Sequence, residues 1–366
     1  MYRPTYLEVN LDKLKSNIKK IINYNKDYDY FFGVVKNNCY HHGIYLVRLM
    51  RELGINYFAV SSLEEALDVR KYDDETPILC LEPINVDYIF DAINNNVTVT
   101  ISSLEEVNEI ISLKYKDSLN VHLKVDSGMN RLGFKSNNDL KKAYDLLSEC
   151  KNVIIEGVYT HFATDGIKDK FYDIQVNNFK EITSLIPLSK IPIVHVDRSY
   201  TSLIHNKHEF ANGFRMGLSM YGYVPNCFKS EDLSLESILS LYTEVISVRK
   251  ACKGEFVGYG AKYKVKKDTY IATLPIGYAD GVTKDFEYVY INNNKCKIVA
   301  ECMDLIMVIV DDNVKVGDKV EIFGKNQSAI YLAKKMNLID HKFLNLFSNR
   351  VPIVYIDQKN EFEVKY

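Results

Sequence analysis

The sequence predicts an α/β protein, an N-terminal (β/α)8 TIM-like barrel followed by a mostly β C-terminal domain. Three observations carry this reading. Eight short β-rich runs lie between Tyr30 and Tyr221, amphipathic helical stretches separate most of them, and after about Tyr223 strand-like runs continue with few helices. Strands that alternate with helices imply a parallel sheet, and eight such units in about two hundred residues suggest closure into a barrel. An open doubly wound sheet is the competitor. It loses its commonest support because no G-x-G-x-x-G follows the first strand.

The chain begins with a helix over residues 12–24, where Leu14, Ile18, Ile21 and Ile22 recur at helical spacing. The strand runs are Tyr30–Val35, Tyr57–Ser61, Pro77–Leu81, Val97–Ile101, Val121–Val125, Ile154–Tyr159, Ile191–Val196 and Phe214–Tyr221. Helices are expected over Tyr45–Leu53, Leu63–Lys71, Val86–Asn94, Leu104–Leu113, Asn138–Ser148 and Phe171–Leu185. Ser62 and Ser103 each stand before a Leu-Glu-Glu triplet, which is close to a capping box. From Leu239 on, turns are expected at Lys253-Gly254, Asp280-Gly281 and Asn292–Asn294, with one short helix near Ser328–Lys335. The domains expected are residues 1–235 and 236–366, with the first strand free to join the C-terminal domain.

The 366 residues are 47% hydrophobic and 26% charged, with a formal net charge of -2. That balance offers no electrostatic case for nucleic acid or an anionic membrane as partner. The N-terminus lacks a signal-peptide pattern, and no apolar run reaches membrane-spanning length. Seven cysteines (39, 80, 150, 227, 252, 296 and 302) are scattered without a C-x-x-C pair. A reduced, cytoplasmic protein without a bound metal is the expectation.

In a barrel of this kind the chemistry sits at the C-terminal ends of the strands. The first buried run, Phe31 to Val35, stops on Lys36, and Tyr40 follows. An ammonium is costly to desolvate, so a lysine there needs a use. The fifth run carries Lys124 and Asp126 with Arg131 beyond, and the sixth ends in His161. The seventh holds His195 and ends in Arg198-Ser199, and the eighth contains Arg215 and Gly217. Each alone has an ordinary reading as a packed or salt-bridged side chain. Together they converge on one face, where the loops after strands seven and eight are the usual phosphate cradle. A lysine at a strand end beside such a cradle suggests pyridoxal phosphate held as a Schiff base.

The motifs GVVKNNCYHHG, HLKVDSGMNRLGF, GVYTHFATD, FRMGLSMYGY, VGYGAKY, TLPIGYADGV and ECMD, in that order, resemble the bacterial alanine racemases from about Tyr6 to Tyr355. That resemblance implies a homodimeric pyridoxal 5'-phosphate enzyme interconverting L- and D-alanine for peptidoglycan. By matching motifs, Lys36 would hold the cofactor and act as one base. Tyr259 would reach in from the second chain as the other, polarised by His161. Racemisation needs two groups because the proton leaves one face of a planar carbanion and returns on the other. Arg215 would face the pyridine nitrogen, and a guanidinium that keeps its proton leaves that nitrogen an acceptor. Arg131 would contact the phenolic oxygen and the substrate carboxylate. Lys124 stands where many members carry a carbamylated lysine. Tyr40, Ser199, Gly217 and Leu218 would surround the phosphate, and Tyr278 and Met303 of the partner chain would narrow the access route.

The chain departs from the family pattern at Asn37, Cys39 and His41, at Arg198, where asparagine is usual, and at His341, where tyrosine is usual. These leave a racemase of serine or another small amino acid as the second reading. A pyridoxal phosphate decarboxylase of the same architecture and a non-catalytic carrier of the cofactor follow.

Overall fold

The structure, a computed structural model, describes residues 2–167, 169–224, 233–358 and 361–363; Cys227 lies outside the described residues. A short strand, β1 (Tyr6–Asn10), leads into helix α1 (Leu11–Tyr24), whose first turn is capped by the Asn10 side chain accepting from Lys13 N. α1 buries Leu11, Leu14, Ile18 and Ile21 on one face, together with Asn17. Asn17 is satisfied there: Nδ2 donates to Met220 O and Glu236 O at 3.0 and 2.9 Å, and Oδ1 accepts from Glu236 N at 3.0 Å. A buried amide with three partners ties the first helix to the junction of the two domains.

Eight strands then close a parallel barrel: β2 (Tyr30–Val34), β3 (Tyr57–Val60), β4 (Ile78–Cys80), β5 (Val97–Ile101), β6 (Leu119–Lys124), β7 (Val153–Tyr159), β8 (Ile193–Arg198) and β9 (Gly213–Met216). The ring closes where β2 pairs with β9, Tyr30 opposite Gly213 and Phe32 opposite Arg215. Ser62 and Ser103 cap the helices that follow β3 and β5, accepting from Glu65 N and Glu106 N. The lumen is filled by stacked rings: Phe32 lies 4.4 Å from Tyr57 and 4.4 Å from His195, and Tyr159 lies 4.7 Å from His195.

Two expected elements divide. The run Phe214–Tyr221 is a strand only to Met216; Gly217 breaks it and Leu218–Tyr221 forms a buried 3-10 turn. A barrel strand must end at the mouth, so the remaining apolar residues pack as a turn beneath it. Residues 86–94 begin with a 3-10 turn, and the helix covers only Ile89–Asn94.

The second domain is built on a ten-stranded sheet that β1 joins, antiparallel to Leu239–Glu244 and parallel to Ile353–Ile356. The Asn292-Asn293 turn links Tyr288–Ile291 to Asn294–Glu301, with φ 50° and 64°. Two successive positive φ values make the turn twist with the strands it joins, and asparagine tolerates them. The expected helix runs over Ala329–Lys335 behind a Ser328 cap, and a second short helix, Asp340–Leu344, was not foreseen. Among the described residues no helix is long and apolar enough to cross a membrane.

Candidate active site

Lys36 follows β2 at the C-terminal mouth of the barrel and is half-buried. Burial pushes its amine pKa down, and the Arg131 guanidinium adds to the effect, so the uncharged share is larger than for an exposed lysine. Behind it Asn37, Asn38, Cys39, Tyr40 and His41 form a left-handed turn with φ between 50 and 67°. Such backbone costs about 1–2 kcal/mol per residue except at asparagine or glycine, so its surroundings must hold it. Asn37 N donates to Glu65 Oε1 at 2.7 Å, Ile44 N to Asn38 Oδ1 at 2.6 Å, and Gly43 N to Asn38 O at 2.9 Å. The turn places the buried Tyr40 across the mouth, against the loop after β9.

There Ser199 Oγ accepts from Gly217 N at 2.8 Å and Ser219 N at 3.5 Å. A Cβ at residue 217 would meet Tyr40 Oη at 3.1 Å and Ser199 Oγ at 3.8 Å. Two hydroxyls thus converge on a spot kept open by the absence of a side chain. With its lone pairs accepting from the backbone, the Ser199 hydroxyl proton is left to donate outward.

Arg215 is buried at the end of β9. Its Nη1 donates to His195 Nδ1 and His195 O at 2.7 and 2.8 Å, and its Nη2 to Thr160 O and Val196 O at 2.7 and 3.2 Å. Those four bonds use every Nη proton and leave Nε–H as the spare donor. Arg131 sits on a loop organised by Asp126, which accepts from Gly128 N, Asn130 N and Arg131 N at 2.9–3.1 Å. Gly133 is required beside it, with φ 124° and a would-be Cβ only 2.6 Å from Asp126 N. Lys124 is buried, and burial together with Arg131 and Arg215 lowers its pKa to about 8. Burial and the same cations, with Arg198, hold His161 well below the usual imidazole range, so it is neutral.

These side chains surround one cleft of about 690 Å³, within the size range of cofactor sites. It is lined by Lys36, Tyr40, Lys124, Arg131, His161, Ser199, Arg215, Gly217 and Leu218. Arg198 and His341 also line it; the His341 ring lies 5.6 Å from that of Tyr40. Five lysines and arginines face a single carboxylate there, Glu82, which makes the cleft a receptor for anions. Tyr259, Tyr278 and Met303 do not line it; they are 80, 51 and 53% exposed on the C-terminal domain.

Sequence reasoning passed over Tyr159 and Glu82. Tyr159 is buried, its ring centroid 5.4 Å from Lys124 Nζ and 5.5 Å from Arg215 Cζ. Its position two residues before His161, hence on the same side of an extended chain, was an available signal. Glu82 lies just past β4, and nothing in its neighbourhood of the sequence marks it.

A barrel whose first strand ends on a base-poised lysine, facing an anion cradle and joined to a β domain, defines a class of two-domain barrel enzymes. Comparison with known proteins narrows it. The family description "Alanine racemase, N-terminal domain" matches residues 9–225, and "Alanine racemase, C-terminal domain" matches residues 238–355. The chain is 32% identical to Alanine racemase 1 of Bacillus subtilis over 375 residues, covering 100% of this chain and 96% of that protein. It is 35% identical to the alanine racemase of Streptococcus uberis over 372 residues, 98% and 99% of the two chains. The crystal structure of alanine racemase from Bacillus anthracis with bound L-Ala-P superposes with a TM-score of 0.92 at 32% identity, covering 100% of this chain and 98% of that one. The chain belongs to the alanine racemase family and is a racemase.

Proposed function

We propose that the cleft binds pyridoxal 5'-phosphate and that the enzyme interconverts L- and D-alanine. The observation that carries this is the joint placement of a base-poised Lys36, the Ser199–Gly217–Tyr40 cradle and the spare Arg215 Nε–H around one cation-lined cleft. The residues fit the group. The cradle suits a phosphate, Arg215 suits an unprotonated ring nitrogen, and Leu218 closes the phosphate end. When bound, pyridoxal phosphate draws electrons from the amino acid's α-carbon and makes its proton removable.

Lys36 takes or returns the α-proton on one face. The opposite face is served by the partner subunit's Tyr259 in a homodimer, with neutral His161 as the phenol's hydrogen-bond partner. The exposure of Tyr259, Tyr278 and Met303 in one chain supports this, since each is free to meet a second copy. Arg131 orients the substrate carboxylate. Lys124, with its pKa near 8, keeps an uncharged fraction at neutral pH. That amine adds CO2 to give a carbamate and one released proton, and the new anion would hold Arg131 in place. The physiological reading is supply of D-alanine for peptidoglycan in the cytoplasm.

A second reading, a racemase of serine or another small amino acid, is favoured by Arg198 and His341 at the cleft wall. The test is chiral chromatography of L-amino acids incubated with the cofactor-loaded protein, with Lys36→Ala as the control. Turnover of alanine that Lys36→Ala abolishes is expected. Preference for serine supports the second reading, and decarboxylation or no reaction with the cofactor bound refutes both.

A further inference from the structure

Among the described residues no carboxylate makes a salt bridge to the buried Arg215; the Asp197 charge acts on it from nearby, and its hydrogen bonds lead through the lumen to a second carboxylate. Nη1 donates to His195 Nδ1 at 2.7 Å. A guanidinium only donates, so His195 Nδ1 is the acceptor and the neutral ring carries its proton on Nε2. That Nε2 lies 2.9 Å from His122 Nδ1, which must then accept, leaving the His122 proton on its own Nε2. Beyond it stands Glu156 Oε2 at 3.4 Å, a looser ion-pair contact short of hydrogen-bond geometry. The same oxygen accepts from Tyr57 Oη at 2.7 Å and Thr98 Oγ1 at 3.1 Å.

Both imidazoles are fully buried, and burial lowers the pKa of each, so they stay neutral at ordinary pH. Glu156 is held ionised. Burial opposes its charge, but His122, Tyr57 and Thr98 together outweigh that and bring its pKa below the usual value. Tyr57 opens β3 and Thr98 is second in β5. Glu156 therefore sits towards the N-terminal ends of the strands, away from the cleft, with its side chain 21% exposed. The chain Arg215–His195–His122–Glu156 runs through the lumen with every donor pointing the same way.

We propose that Glu156, acting through His122 and His195, is a positioning residue: it anchors this one-way donor chain and so holds Arg215 with its Nε–H available to the cleft. That the acceptor in the cleft is the ring nitrogen of pyridoxal phosphate rests on the function proposed above; the direction of the chain does not. Hydrogen bonds in a row polarise one another, so charge removed at the far end is felt at the near one.

The test is NMR of the [15N]histidine-labelled, cofactor-loaded full chain, with resonances assigned through His122→Gln and His195→Gln. Both rings are expected as Nε2–H tautomers at pH 7. Glu156→Gln keeps the shape and an acceptor oxygen but removes the charge. It should move the His122 Nε2–H proton upfield, and the His195 Nε2–H proton after it. It should also lower kcat about tenfold, with KM within twofold, the scale of one weakened charge-assisted hydrogen bond. An Nδ1–H tautomer at either ring overturns the proposal and is read in the wild-type protein, independently of Glu156→Gln. So does a Glu156→Gln protein whose His195 proton or kcat is unchanged. Failure of the racemase reading would show separately, as a wild-type protein that neither binds pyridoxal phosphate nor racemises.

Discussion

Replacing Ser199 by alanine tests the cradle at a single atom. Ser199 Oγ accepts from Gly217 N at 2.8 Å and, more weakly, from Ser219 N at 3.5 Å. Its removal leaves the buried Gly217 N–H without that acceptor, a cost of about 1–3 kcal/mol. For a domain of this size each kcal/mol lowers Tm by roughly 2–4 °C. The hydroxyl proton is also lost as a donor to an anion, and a hydrogen bond to a charged group is worth about 1.5–3 kcal/mol. The Kd for pyridoxal phosphate should therefore rise roughly 10- to 150-fold. A covalent link to Lys36 would mask this, so the comparison belongs in a Lys36→Ala background, by equilibrium dialysis, beside a melting curve of each protein. Ser199→Thr, which keeps a hydroxyl, should bind within a few-fold of the parent. A Kd within twofold of the parent for Ser199→Ala would refute the reasoning. If Tm alone fell, Ser199 would be a brace for the turn and nothing more.

Three further outcomes follow from the same geometry. The Lys124 pKa is depressed from 10.5 to about 8, so its burial penalty is fully present below pH 8 and fades as pH rises towards 10.5. The scale is about 3 kcal/mol; urea midpoints of the apo-protein should rise across that window, and those of Lys124→Met should rise less. Co-expressing Lys36→Ala with Tyr259→Phe should restore roughly a quarter of wild-type sites, because half the dimers are mixed and each has one complete site; no recovery would exclude a shared site. Asp280 is buried, takes bonds from both nitrogens of the Arg3 fork at 2.9 and 3.0 Å, and caps Gly277 N at 3.1 Å. Asp280→Ala should cost about 1–3 kcal/mol in denaturant melts, at the low end because Arg3 can reach water.

Some of this was legible because it is written in local pattern. A parallel strand buried on both faces reads as an apolar run, and its end is marked by the first residue that would be costly inside; Lys36, His161 and Ser199 stand at such ends. Serine caps and the Asn-Asn turn announce themselves within four residues. The left-handed turn behind Lys36 was not legible, because two asparagines tolerate positive φ but do not demand it. The demand comes from Glu65, which is brought beside them by the next β/α unit. His341 reached the cleft through a five-residue helix too short to show a period.

The sequence by itself determined the alternation of elements, the strand ends that carry polar side chains and, through its ordered motifs, the family. Side-chain periodicity and capping are properties of a few neighbouring residues, so they survive without the fold. Tertiary structure alone decided which polar groups meet. His122, Glu156, His195 and Arg215 lie on four different strands, and each alone reads as an ordinary buried side chain. Closing the barrel excludes water from their lumen, so every donor there must find an acceptor. It is that requirement, absent from any local stretch of the chain, that orders the four into a line beneath the cleft.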